Sequence, residues 1–193
     1  MYTFIRDASP ACLALRWEEW TDRYCSGDKG FKWYSPKCYE NVRQKLFESS
    51  LQHCAFCDGL TGAESRQTIE HFKPKERHAF PELAFHWANL YPCCDRCQSQ
   101  KGSRYDPALI NPDDLEYHFD DYFVANYLTG EIEVSPLASA ENCHRAHVTL
   151  ELYGLNLGIR TARRKREAQL FQHRNPETEP LDDFSYRYFL KNC

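Results

Sequence analysis

The sequence predicts an α+β protein in which a small core of short elements sits on a four-cysteine frame, with helices on either side. Three observations lead there. Aromatic and aliphatic residues recur at helical spacing before residue 50, two C-x-x-C pairs punctuate short elements between residues 53 and 102, and helical patterning returns after residue 140. Residues 1–52 are therefore expected to be a helical segment, 53–135 the core with a hairpin extension, and 136–193 a second helical segment, packed as one unit.

Ser9-Pro10 opens the first expected helix, because serine caps free amides and proline at the first helical position lacks only an N–H that would be unpaired anyway. Leu13, Trp17, Trp20 and Tyr24 follow on one face, and Gly27 suits the stop. Ser35-Pro36 opens the next, with Tyr39, Val42 and Leu46 aligned. Thr68 to Phe72 reads as a strand ended by Pro74, Phe85-His86-Trp87 as its return strand, and Cys94 to Lys101 as a short helix ending at Gly102. Tyr122 to Val134 suggests a hairpin turning at Thr129-Gly130. Ala140 to Tyr153 reads as a helix stopped by Gly154, Asn156 as the cap of another running to about Gln172, and Phe184 to Leu190 as an apolar docking segment.

The 193 residues are 42% hydrophobic and 15% aromatic, enough for a packed interior. No apolar run approaches the roughly 20 residues needed to span a bilayer, and the first twenty residues lack the apolar stretch of a secretory signal, so cytosolic residence is expected. Reducing conditions there argue against a disulfide framework among the ten cysteines. Cys12, Cys25, Cys38, Cys93, Cys143 and Cys193 accordingly read as small buried hydrophobes or inert thiols. A net charge of −4 excludes a protein that grips nucleic acid with its whole surface, so any such contact must be local or supplied by a partner.

Cys54/Cys57 and Cys94/Cys97 are separated by thirty-six residues. Each pair can form a knuckle aiming two thiolates at one ion, and four thiolates close a tetrahedral structural zinc site with no position left for water. Cys93 could replace Cys94 only through a poorer C-x-x-x-C knuckle. A redox C-x-x-C is the alternative, although one pair would suffice for it.

The residues enclosed by the cysteines carry the chemistry: Ile69-Glu70-His71-Phe72-Lys73-Pro74, then Asn89-Leu90, then Cys94-Asp95-Arg96-Cys97-Gln98, then Lys101-Gly102. This order resembles the HNH nuclease superfamily, with its zinc-supported ββα-metal core. Glu70 to Lys75, Asn111-Pro112, the Phe123 to Ile132 hairpin and Leu155-Asn156-Leu157 resemble, more narrowly, the retron-associated HNH nucleases and the nuclease subunit of Septu anti-phage systems, PtuB. The resemblance implies His71 as the general base, Glu70 as an acidic ligand of a catalytic Mg²⁺ or Mn²⁺, and Asn89 as the group orienting the histidine. Gln98 falls where the superfamily has His or Asn as the other ligand; its carbonyl oxygen can meet a hard cation directly or through water.

Elementary chemistry agrees in outline, since phosphodiester hydrolysis needs an activated water and a neutral imidazole can take its proton. Adjacent strand residues face opposite sides, so Glu70 and His71 need a bend to serve one centre. Lys73, Lys75 and Lys101 are candidate phosphate contacts, Lys101 being equally well an exposed lysine. Arg160, Arg163 and Arg164 share a helical face that either tracks a phosphate backbone or is simply solvated. His53 is expected to be exposed, whereas His78 and His86 lie near the core with no assigned role.

The expected function is metal-dependent cleavage of nucleic acid, DNA before structured RNA such as tRNA. The resemblance implies an ATPase partner of the ABC/SMC type (PtuA-like), or a retron reverse transcriptase and its DNA/RNA product. The rivals are a non-catalytic zinc scaffold, a cysteine redox protein and a catalytic zinc.

Overall fold

A helix does start at Ser9-Pro10, but it is broken. In the computed structural model, which describes residues 1–29, 37–62 and 65–193, α1 spans Ala11–Ala14 with Pro10 as its cap and no side-chain bond to it. Arg16 leaves helical geometry, and α2 restarts over Trp17–Ser26, ended by Gly27 at φ +81°. Leu13 and Trp20 are buried, as their spacing requires. Helix α3, Cys38–Ser49, buries Val42 and Leu46; its expected opening at Ser35-Pro36 lies outside the described residues. Cys12 and Cys38, expected as unpaired thiols, form a disulfide with their Cα atoms 5.8 Å apart. Arguments from compartment weigh against a framework of disulfides, yet packing α1 on α3 brings this one pair into bonding geometry.

Strand β1, Gln67–His71, pairs antiparallel with β2, Leu90–Cys94, in the register Gln67 to Cys94 and His71 to Leu90. The return strand thus lies several residues beyond Phe85–Trp87. Those residues belong to a turn region, with single 3₁₀ turns at Pro81–Leu83 and Trp87–Asn89. All five β2 residues are buried, so no alternation marks the strand. Pro92 is tolerated because its side of the chain faces away from β1, where only its carbonyl is needed, to accept from Ala55 N. Helix α4, Asp95–Lys101, follows without a loop and packs on both strands, completing a ββα unit.

The hairpin forms as expected, with β3 at Phe123–Asn126 and β4 at Glu131–Val134. Gly130 sits at φ +78°, where an added Cβ would meet the Thr161 carbonyl oxygen at 2.2 Å, so only glycine fits this turn. Helix α5, Ala140–Leu152, is capped by Ser139 Oγ, which accepts from Asn142 N at 3.1 Å. Helix α6, Gly158–Gln172, is not capped by Asn156 as expected. That amide instead spans β4, accepting from Ile132 N at 2.9 Å and donating to Ile132 O at 2.7 Å. Docking of the final segment is realised in α7, Arg187–Leu190, all four residues of which are buried.

One core joins the segments: Leu13, Phe56, Tyr91, Phe123, Tyr153 and Phe189 belong to the same apolar cluster. No helix among the described residues is long and apolar enough to cross a membrane. At the first knuckle, Phe56 stacks on Tyr153 with centroids 4.0 Å apart, and Ala55 N donates to Pro92 O. Asp58, just after the knuckle, accepts from Arg187 Nη2 and Arg187 N, both at 2.6 Å. Their side chains are only 2% and 6% exposed. Removing one partner of such a pair strands a buried charge, so Asp58→Ala is expected to cost about 3–5 kcal/mol, read as a shift of the urea midpoint. A loss under 1 kcal/mol would mean that the pair contributes little.

Candidate functional site

Cys54, Cys57, Cys94 and Cys97 converge from the knuckle and from the β2–α4 junction. Their sulfurs all lie within 4.8 Å of one another, and all four are buried. Cys57 Sγ and Cys94 Sγ are 3.7 Å apart, close to the ~3.8 Å edge of a tetrahedron with ~2.3 Å zinc–sulfur bonds. Cys94 caps α4, its sulfur accepting from Cys97 N at 3.3 Å. A saturated set of soft donors fits a structural metal such as zinc. Cys93 stays outside the set, its thiol donating to Cys94 O at 3.3 Å.

The same helix, α4, also holds the polar residues of β1. Glu70 points at α4, where its Oε1 accepts from Lys101 Nζ at 2.7 Å. The same ammonium donates to His71 O at 3.0 Å, and Gln98 Nε2 donates to Ile69 O at 2.9 Å. Two side chains of α4 thus bind three consecutive β1 residues. The Glu70 and Lys101 side chains are 5% and 1% exposed, so Lys101 is neither a surface lysine nor open to a phosphate. Burial pushes the Glu70 carboxyl up to about 7 against the pull of Lys101.

His71 faces away from this pair. Its Nε2 lies 2.9 Å from Ala84 O; because a carbonyl only accepts, the proton sits on Nε2 and the lone pair on Nδ1. The ring keeps some solvent contact, but its surroundings and the charges of Lys75 and Lys101 lower its pKa to about 3. At neutral pH the imidazole is a neutral base.

Asn89 does not touch that ring. Its Oδ1 accepts from Lys73 N at 2.7 Å, and its Nδ2 donates to Lys73 O and Leu83 O at 2.9 and 3.1 Å. It pins the chain leaving β1 to the turn carrying Ala84, and so places His71 through backbone rather than by contact. Lys73 lies over the rings of Phe80 and Tyr105, and Lys75 is half-buried.

The basic stretch of α6 divides. Arg163 is half-exposed and 3.4 Å from Glu167. Arg160 and Arg164 are 5% and 0% exposed, so the shared face is neither solvated nor free to follow a phosphate backbone. Arg164 donates to Gly130 O, Leu155 O and Asn156 Oδ1, whereas Arg160 donates to Tyr153 O and Cys97 Sγ. His53, expected to be exposed, is 1% exposed, its ring nitrogens facing Leu51 O and Phe184 O. His78 is exposed, and His86 packs edge-on against Trp17. Sequence reasoning missed Asp58, Arg187 and the sulfur contact of Arg160, whose partners lie 129, 129 and 63 residues away.

No protein-family model matches the chain. Curated proteins do. Septu protein PtuB of Bacillus thuringiensis is 37% identical over 75 residues, which are 37% of this chain and 28% of that protein. Over that stretch the chain is similar to PtuB. Septu protein PtuB of Bacillus mycoides (strain KBAB4) is 27% identical over 88 residues, 40% of this chain and 29% of that PtuB. The chain spans less than a third of the length of the PtuB proteins it matches.

The α4–β1 pairing has a measurable consequence. Lys101→Met leaves the Glu70 carboxylate buried and unpaired, with an expected loss of about 3–5 kcal/mol. Adding Glu70→Gln should recover at least half of it, since both charges are then gone. Additive losses in urea melts of the single and double variants would show that the two groups are not coupled.

Proposed function

We propose that this chain is a phosphodiester hydrolase of the HNH type, acting on nucleic acid in anti-phage defence. The observation that carries the reading is the His71 imidazole: neutral at physiological pH, fixed by Ala84 O so that Nδ1 is the basic atom, and borne on a ββα unit beside a four-cysteine metal frame. An uncharged imidazole can take the proton of a water attacking phosphorus, although a pKa of about 3 makes it a weaker acceptor than one poised near the working pH. Lys73 and Lys75 on the adjoining loop offer positive charge to the phosphate, and the acidic chain as a whole demands that the contact be this local. The similarity to Septu protein PtuB supports the defence role; the companion subunit proposed is an ATPase of the ABC/SMC type, and a retron reverse transcriptase with its nucleic-acid product is the second candidate partner.

A divalent ion supplies charge neutralisation and a nucleophile of lowered pKa when one is bound. The residues expected to hold it do not fit that task as arranged. Glu70 is engaged by Lys101, and Gln98 donates its amide to Ile69 O. No step is therefore routed through Glu70 or Gln98. The same ion pair favours the rival reading, a zinc scaffold that recruits a partner without catalysis, because it holds the acidic residue in a structural role.

The two readings separate when the chain, co-expressed with its neighbouring genes, is offered plasmid duplex, single-stranded oligonucleotide and total RNA, with Mg²⁺ and with EDTA. Cleavage of one substrate class supports the hydrolase, DNA being the first expectation. Binding without cleavage of any of the three leaves the scaffold standing.

A further inference from the structure

We infer that Arg160 is an outer-shell partner of the cysteine-bound metal, donating to the Cys97 thiolate and offsetting the negative charge of the buried centre. The inference rests on the structural-zinc reading of the four cysteines. Arg160 Nη2 lies 3.1 Å from Cys97 Sγ, while Nη1 donates to Tyr153 O at 3.1 Å. The guanidinium carries no acceptor, so its contact with sulfur has one sense, N–H to thiolate. Four thiolates around Zn²⁺ carry a net charge of about −2, and burying such charge is costly unless it is paired and hydrogen-bonded.

Peptide groups supply one such bond, from Cys97 N to Cys94 Sγ; the side chain at 160 supplies a whole cation. It comes from the first turn of α6, so a helix outside the ββα unit is joined electrostatically to the metal frame. Arg164, one turn later and equally buried, bonds only oxygen atoms. It is an internal control of the same residue type, on the same helix, with no contact to sulfur.

Hydrogen bonds to a thiolate stabilise its lone pairs, raising the energy of sulfur-to-metal charge transfer and slowing ligand loss. A cavity of about 680 Å³, bordered by Cys57, Cys94 and Arg160, gives a chelator a route to the site. The test therefore uses the whole chain loaded with Zn²⁺ or Co²⁺, in wild type, Arg160→Gln, Arg160→Lys and Arg164→Gln. Zinc release to a chromophoric chelator should quicken about tenfold or more in Arg160→Gln, with partial recovery in Arg160→Lys and little change in Arg164→Gln. The near-ultraviolet charge-transfer band of the cobalt form should move to lower energy in both Arg160 variants and stay in place in Arg164→Gln.

Should Arg160→Gln not fold, Arg160→Lys carries the test, because it keeps the charge and loses the forked geometry. Wild-type release with an unmoved band in the Arg160 variants overturns the inference. So does an equal acceleration in Arg164→Gln, which would mark a general loosening of α6. A wild type that takes up neither metal overturns the zinc reading and this inference together, before any variant is compared.

Discussion

His71→Ala is expected to lower the rate of phosphodiester cleavage by about 10²–10⁴-fold while the protein stays folded. The side chain makes one hydrogen bond, to Ala84 O, and keeps some solvent contact, so its loss removes the base without hollowing the core. The pH dependence sharpens the test. With its pKa lowered to about 3, the folded ring stays neutral where an unfolded histidine, near 6.5, binds a proton. Its contribution to stability is therefore complete above about pH 6.5 and is lost as pH falls through 3. Alanine at 71 should flatten that acid limb of the stability curve, and the wild-type rate should show no fall near pH 6.5 from protonation of this group. Full cleavage by a well-folded His71→Ala protein would remove the proposed base.

Withdrawing the metal should do the reverse, acting on the fold first. The four sulfurs sit in the interior, where the β2–α4 junction meets the first knuckle. Structural zinc sites contribute on the order of 10 kcal/mol or more of folding free energy, as much as a whole domain of this size normally has. A strong chelator at neutral pH is expected to release about one zinc per chain, with loss of near-ultraviolet circular dichroism, and Cys57→Ser should be recovered mostly unfolded. Free titration of Cys54, Cys57, Cys94 and Cys97 themselves, giving eight reactive thiols per chain with no zinc by elemental analysis, would return the cysteines to the redox reading. Measuring both variants together distinguishes the roles, because His71→Ala must leave the zinc content unchanged.

What was legible in the sequence was what local spacing controls. The C-x-x-C pairs, the β1 strand, the β3–β4 hairpin and the long helices each advertise themselves by period or by a cap, and the four cysteines do converge. The misplaced β2 shows the limit. A strand buried along its whole length has no alternation to read, and Leu-Tyr-Pro-Cys-Cys has neither a β-branched residue nor a free choice of φ at its centre.

Charged residues failed for a different reason. Lys101, Arg160, Arg164 and Arg187 look like surface residues because their class normally is. Each is buried against a specific acceptor: the Glu70 carboxylate, the Cys97 sulfur, backbone carbonyls and the Asp58 carboxylate. Nothing in their own neighbourhood announces an acceptor that topology supplies from far along the chain. Glu70 and Asn89 show the same limit: one meets Lys101 and the other holds the backbone that leaves β1, and resemblance transfers a residue type more readily than such hydrogen bonds.

The clasp between Asp58 and Arg187 also sets an order of events during synthesis. The first knuckle and strands β1 and β2 leave the ribosome more than ninety residues before the arginine that neutralises the Asp58 carboxylate. Until then burial of that carboxylate has no counter-charge, which disfavours closing the knuckle by about 3–5 kcal/mol. A polypeptide released short of position 187 would therefore carry all four cysteines but lack the charge partner of its first knuckle.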